Sequence, residues 1–132
     1  MNKCIFCKII KGEVPATKIW ENNDFLAILD IQPVVRGMTV VLPKKHYSPK
    51  IFEMDKEIYS DFMEAGRTVA RKLKKGLDAE RVFMVAEGLD VNHAHLKLYP
   101  VKDAQPLGLL LTRPSSQKDR EELEEVKKEI QS

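Results

Sequence analysis

A chain of 132 residues with 43% apolar and 32% charged side chains has the length and balance of one globular domain with a core, not of a disordered protein. The net charge of +2 makes no electrostatic claim on nucleic acid, and no apolar run approaches the ~18 residues that would suggest a membrane span. The opening Met-Asn-Lys-Cys-Ile-Phe-Cys-Lys has no apolar targeting core, so the sequence reads as cytoplasmic, with no membrane or nucleic-acid partner.

Ile5 to Ile10 reads as a short helical turn stopped near Gly12. Lys18–Glu21 and Phe25–Asp30 flank Asn22-Asn23-Asp24, a hairpin signal. Thr39–Pro43 is β-branched and reads as a buried strand. Asp55 is placed to cap a long helix on which Ile58, Phe62, Ala65, Val69 and Leu73 share one face, with Gly76 at its end. The cluster of Arg71, Lys72, Lys74 and Lys75 complements the dipole at that end. Arg81–Glu87 and His93–Tyr99 read as strands, and Leu107–Thr112 as a short one. Ser116 is placed to cap a final helix whose apolar stripe, Leu123, Val126 and Ile130, is narrow. Residues 113–132 therefore read as a polar helical extension of a single domain spanning 1–132. Strands and helices do not alternate, which predicts an α+β architecture: an antiparallel five-stranded sheet with helices on one side.

The chain has only three histidines and two cysteines, and they fall in three short segments. Cys4 and Cys7 form C-x-x-C. His46 follows Leu-Pro-Lys-Lys. His93 and His95 begin His-Ala-His-Leu-Lys. On a strand, His93, His95 and Lys97 would share one face, ~6.6–6.8 Å apart, while Ala94, Leu96 and Leu98 point into the core. Three polar groups on one strand face suggest a site. In a reducing compartment C-x-x-C is open to three readings: a metal pair, a redox pair, or two inert thiols.

Four segments, in order, resemble the histidine-triad (HIT) nucleotide-binding family. They are Cys4-Ile-Phe-Cys-Lys-Ile-Ile-Lys-Gly-Glu-Val-Pro-Ala, Phe25-Leu-Ala-Ile-Leu-Asp-Ile-Gln-Pro, Gly37-Met-Thr-Val-Val-Leu-Pro-Lys-Lys-His, and Val91-Asn-His-Ala-His-Leu-Lys-Leu-Tyr-Pro. The resemblance implies a HIT-like fold, a homodimer, and binding of a purine nucleotide or dinucleoside polyphosphate. It implies that His95 attacks the α-phosphorus to form a nucleotidyl-histidine intermediate, that Asp30 receives the ribose hydroxyls, and that Ile5, Phe6 and Ile28 wall the base. It further implies a structural zinc held by Cys4, Cys7, His46 and His93, as in bacterial-type members.

The family pattern fails on the phosphate side. Lys97 replaces the third histidine, Met38 a helper histidine and Ala86 an asparagine, and the loop Glu87–Asn92 is short. Lys97 is a poor proton donor at neutral pH but keeps a positive charge to stabilise phosphoryl oxygens. Three functions remain open: hydrolysis or transfer at phosphorus, a zinc-stabilised nucleotide-binding module without turnover, and a redox or metal-sensing protein that uses Cys4 and Cys7.

Overall fold

The sheet starts from a side-chain-built turn. Asn22 Oδ1 accepts the backbone N–H groups of Asp24 at 2.9 Å and Phe25 at 2.7 Å, reversing the chain. The structure is a computed structural model describing residues 3–131. Helix α1 (Ile5–Ile10) precedes the hairpin of β1 (Lys18–Glu21) and β2 (Phe25–Leu29). Then come β3 (Thr39–Pro43), α2 (Lys56–Gly76), β4 (Arg81–Val85), β5 (Leu96–Val101), α3 (Leu107–Leu111) and α4 (Arg120–Gln131). The strands form one five-stranded sheet, order β1-β2-β3-β5-β4, with every neighbouring pair antiparallel. This is the expected α+β architecture. Among the described residues no helix is long and apolar enough to cross a membrane.

Period-two alternation gives the sheet two working faces. Phe25, Ala27, Leu29, Val41, Leu96 and Leu98 pack against Phe62, Ala65, Val69 and Leu73 of α2 and against Leu123, Val126 and Ile130 of α4. The narrow stripe of α4 thus docks it into the main core. On the opposite face, Leu26, Ile28, Val40 and Leu42 meet Ile9 and Phe6 of α1 at one end. Met38, Tyr99 and Val101 meet Leu110 of α3 at the other. The two long helices share one face, and the two short ones bracket the other.

Several local expectations change. Leu107–Leu111 is a helix, not a strand: Pro106 opens it, and the Thr112 hydroxyl returns to the Gly108 carbonyl at 2.7 Å. Asp119, not Ser116, caps α4, its carboxylate accepting the Glu122 N–H at 2.9 Å. The chain before it is drawn across the β2–β3 loop, with Lys118 N–H donating to the Ile31 carbonyl at 2.7 Å. Asp55 stands at the head of α2 but makes no side-chain cap bond. β4 stops at Val85. β5 starts at Leu96, so His93 and His95 lie just before it. The reason is Pro43, which ends β3 with no N–H to extend the ladder, so Ala94 N–H bonds to the Tyr47 carbonyl instead, at 2.9 Å. The side-chain alternation survives, since Ala94, Leu96 and Leu98 all line the main core.

Gly76 is the last residue of α2, and the left-handed backbone falls two residues later, at Asp78 with φ 52°. What requires glycine is α4: a Cβ at position 76 would lie 2.5 Å from the Ile130 Cα and carbonyl oxygen. Alanine gains about 1 kcal/mol of helix propensity, but overpacking against backbone costs about 1–3 kcal/mol. Gly76→Ala is therefore expected to lower the urea midpoint despite the better helix former; a raised midpoint would show that α4 is not seated there.

Candidate metal centre and histidine site

α1 is only six residues long, and its first turn is bracketed by thiols. Cys4 occupies the N-cap, with its Sγ accepting the Cys7 N–H at 3.4 Å. That turn places both sulfurs against two histidines from distant segments. Cys4 Sγ lies 3.4 Å from His93 Nδ1. Cys7 Sγ lies 3.3 Å from His46 Nδ1 and 3.5 Å from His93 Nδ1. The two Nδ1 atoms are 3.1 Å apart, and all four ligand atoms fall within 4.8 Å of one another. A tetrahedron around a zinc-sized ion has N···N edges of about 3.4 Å and N···S edges of about 3.6 Å. The donor set therefore fits such an ion closely. His93 Nε2 donates to the Pro43 carbonyl at 2.9 Å, which leaves its Nδ1 lone pair facing the sulfurs, the usual outer bond of a ligating histidine. Burial pushes the Cys4 thiol up from its ordinary pKa, the opposite of what thiolate chemistry needs, and a bound cation reverses that balance.

The same residue orients its neighbour. His95 Nδ1 donates to the His93 carbonyl at 2.7 Å, so a neutral imidazole presents its lone pair at Nε2. Nε2 has no hydrogen-bond partner among the described residues and is not fully enclosed, although the residue is only 3% exposed. Burial pushes the His95 pKa down; the His93 carbonyl opposes this, Lys97 adds to it, and Glu87 and Asp30 oppose it. The net direction is downward, so the ring is neutral at neutral pH. Phe6, between the two cysteines, packs edge-on to both rings, 4.9 Å from His95 and 5.8 Å from His93.

Register places the remaining residues. Ile28 pairs with Val40, and Val40 with Lys97, so these three side chains form one row across the site face. Ile28 is buried there beneath Phe6, while Ile5 is 40% exposed on the outer side of α1. Asp30 directly follows β2, its carboxylate accepting the Gln32 N–H at 2.8 Å. Met38 is buried beside Tyr99 and takes no part in a polar site. Lys97 does not stand alone: its ammonium lies 3.2 Å and 3.4 Å from the two carboxylate oxygens of Glu87. Burial pushes the Glu87 carboxyl up, but the Leu89 N–H and Lys97 outweigh it and hold the group below its usual range. Glu87 is the residue that sequence reading missed. The available signal was Lys97 itself, a cation on an otherwise apolar inner strand that needs an opposite charge.

Fold and site together define an α+β protein in which a four-ligand cluster abuts an oriented, neutral imidazole. The HIT domain family profile matches residues 11–103, and the chain belongs to that family. It is 34% identical over 130 residues to the adenosine 5'-monophosphoramidase HNT1 of Saccharomyces cerevisiae, covering 96% of this chain and 80% of that protein. A HIT-like protein of Methanocaldococcus jannaschii is 41% identical over 102 residues, 74% of this chain and 78% of that one. Among solved structures, a hypothetical histidine triad nucleotide-binding protein of Sulfolobus tokodaii superposes with TM-score 0.83 at 27% identity, over 96% of this chain and 89% of that one. A Zn-bound histidine triad family protein of Mycobacterium smegmatis superposes with TM-score 0.74 at 28% identity, over 98% and 94%.

Cobalt(II) added to chelator-treated protein is expected to give the visible absorption of a tetrahedral site with thiolate charge-transfer bands. Cys7→Ser should weaken both and lower the melting temperature of the metal-loaded form. An octahedral cobalt spectrum in the wild-type protein would remove the site.

Proposed function

We propose that this chain binds a purine nucleotide and cleaves or transfers at its α-phosphorus through a nucleotidyl-His95 intermediate. The observation that carries this reading is the 2.7 Å bond from His95 Nδ1 to the His93 carbonyl, which leaves Nε2 as the nucleophilic lone pair. Nε2 attacks phosphorus, and the leaving group departs with the electron pair of the broken bond, taking a proton from solvent if it is an amine. Water then attacks that phosphorus, forming a P–O bond as the P–N bond to His95 breaks and its electron pair returns to Nε2; the water's proton passes to solvent and the nucleoside monophosphate is released, while another acceptor in place of water gives transfer. Asp30 accepts the ribose hydroxyls, Ile5, Phe6 and Ile28 wall the base, and Lys97 stabilises charge on the phosphoryl oxygens. The relatives named adenosine 5'-monophosphoramidase favour adenosine and a phosphorus–nitrogen bond over the polyphosphate alternative.

We assign the ion at Cys4, Cys7, His46 and His93 as zinc, on the Cys2His2 donor set and its fit. Its role is structural: it holds His93, whose carbonyl in turn holds His95. A homodimer is part of the same reading. β4 is an edge strand with one side unpaired, and Met84 on it is 46% exposed. A cytoplasmic location suits cysteines gathered with two histidines as a metal-ligand set.

Incubated with an adenosine phosphoramidate and quenched in alkali, the protein should carry a nucleotidyl mass on His95. His95→Ala should lose both adduct and turnover while its affinity for adenosine changes little, because base and ribose are held elsewhere. Turnover that survives in the alanine variant would remove His95 as nucleophile.

Lys97→Ala is expected to slow adduct formation about 10²–10³-fold, the scale of losing one preorganised donor. Lys97→Gln should keep more of the rate, since it keeps an N–H. If Lys97 merely reaches past the sheet to solvent, single-turnover rates will match wild type in both variants.

A further inference from the structure

The cation of the phosphate side is already partnered, and its partner is fixed. Glu87 holds the Lys97 ammonium at 3.2 Å and 3.4 Å, and its Oε1 also accepts the Leu89 N–H at 3.1 Å. Both side chains are about three-quarters shielded, at 21% and 26% exposure, so solvent screens them less than the open pairs elsewhere on this surface. The backbone beside Glu87 has little room to move. Gly88 adopts φ +60° with its Cα side pressed on to Pro49, where any Cβ would overlap the proline ring. A ligand phosphate that reaches Lys97 therefore meets an ammonium with a carboxylate directly behind it, not a free positive charge.

We propose that Glu87 is a specificity-determining residue, selecting against anionic leaving groups and in favour of an amine bonded to the α-phosphorus. The inference rests on the nucleotide reading given above. A nucleoside phosphoramidate bears one negative charge at phosphorus and releases an amine. A nucleoside diphosphate or dinucleoside polyphosphate carries further charge on the very group that must leave, within the field of Glu87. At an effective dielectric of ~20, one additional like charge at roughly 6 Å changes an equilibrium by about 10- to 100-fold. Lys97 offsets part of that, so a discrimination near tenfold per added charge is expected. Third-position histidine in the family pattern needs no such counter-charge. Lysine on a sheet interior does, and the anion that stabilises it also filters the substrate.

The test compares Glu87→Gln, which removes the charge at constant size, with Glu87→Asp, which keeps it. Two readouts are taken for each protein: equilibrium binding of ADP against adenosine 5'-monophosphoramidate, and kcat/KM for a diadenosine polyphosphate against the phosphoramidate. Glu87→Gln should shift both ratios about tenfold toward the anionic ligand, and Glu87→Asp should stay within about threefold of wild type. The shift should persist in a Lys97→Gln background, because the filter is the carboxylate's own field. Equal changes for both ligands, or an effect that vanishes with Lys97, would overturn the proposal and reduce Glu87 to a structural partner. The failures are separable: turnover with an unmoved ratio sinks this inference alone, whereas a wild-type protein that binds neither nucleotide sinks the nucleotide reading and this one with it.

Discussion

One residue joins the parts of this molecule that matter chemically. His93 is fully buried and puts three of its polar groups to different uses. Its Nδ1 faces two sulfurs and a second imidazole, its Nε2 donates to the Pro43 carbonyl, and its own carbonyl receives the Nδ1 proton of His95. The first contact ties α1 to the sheet. The second fixes which nitrogen is free. The third passes that rigidity two residues along the chain to an imidazole whose remaining lone pair is then single-valued in direction. None of these bonds is worth much alone in net stability, about 1 kcal/mol for a neutral pair, but each removes an alternative, so the arrangement specifies one tautomer and one ring orientation.

Periodicity made the frame legible. The alternation of Phe25–Leu29 and Thr39–Pro43, the stripe from Phe62 to Leu73 and the Asn22 turn are local signals, and local signals survive folding. Where the reading went astray, a long-range fact decided. Leu107–Leu111 looks like a strand, but β5 already has neighbours on both sides and Pro106 favours a helix. Ser116 looks like a cap, but the segment it heads is pulled to the Ile31 carbonyl, so the cap moves to Asp119. The gathering of Cys4, Cys7, His46 and His93 was readable only through the family resemblance, since no spacing rule relates positions so far apart. Glu87 escaped because its partner lies ten residues away across a turn, and a lone glutamate before a glycine carries no pattern.

The sheet divides its labour by face. The side against α2 and α4 is apolar and closely packed, and it contributes stability without chemistry. The other side is covered by α1 over Ile28 and Val40 and by α3 beside Tyr99 and Val101, and the row of Ile28, Val40 and Lys97 ends at the part-exposed Lys97. One segment serves both faces because Leu96 and Leu98 anchor β5 in the main core while Lys97, and His95 just before the strand, face the other way. Substitutions on the two faces are thus expected to separate cleanly into effects on folding and effects on chemistry.

The brevity of α1 bears on the order of assembly. A six-residue helix has no appreciable stability in isolation. Its apolar partners lie on β2 and β3, and its thiols face residues 39 to 89 positions further along the chain. Its full set of contacts is therefore complete only once β3 and the segment leading into β5 are in place. The Phe6 ring packs edge-on to His95, so a chain that has mispaired its central strands also lacks that contact.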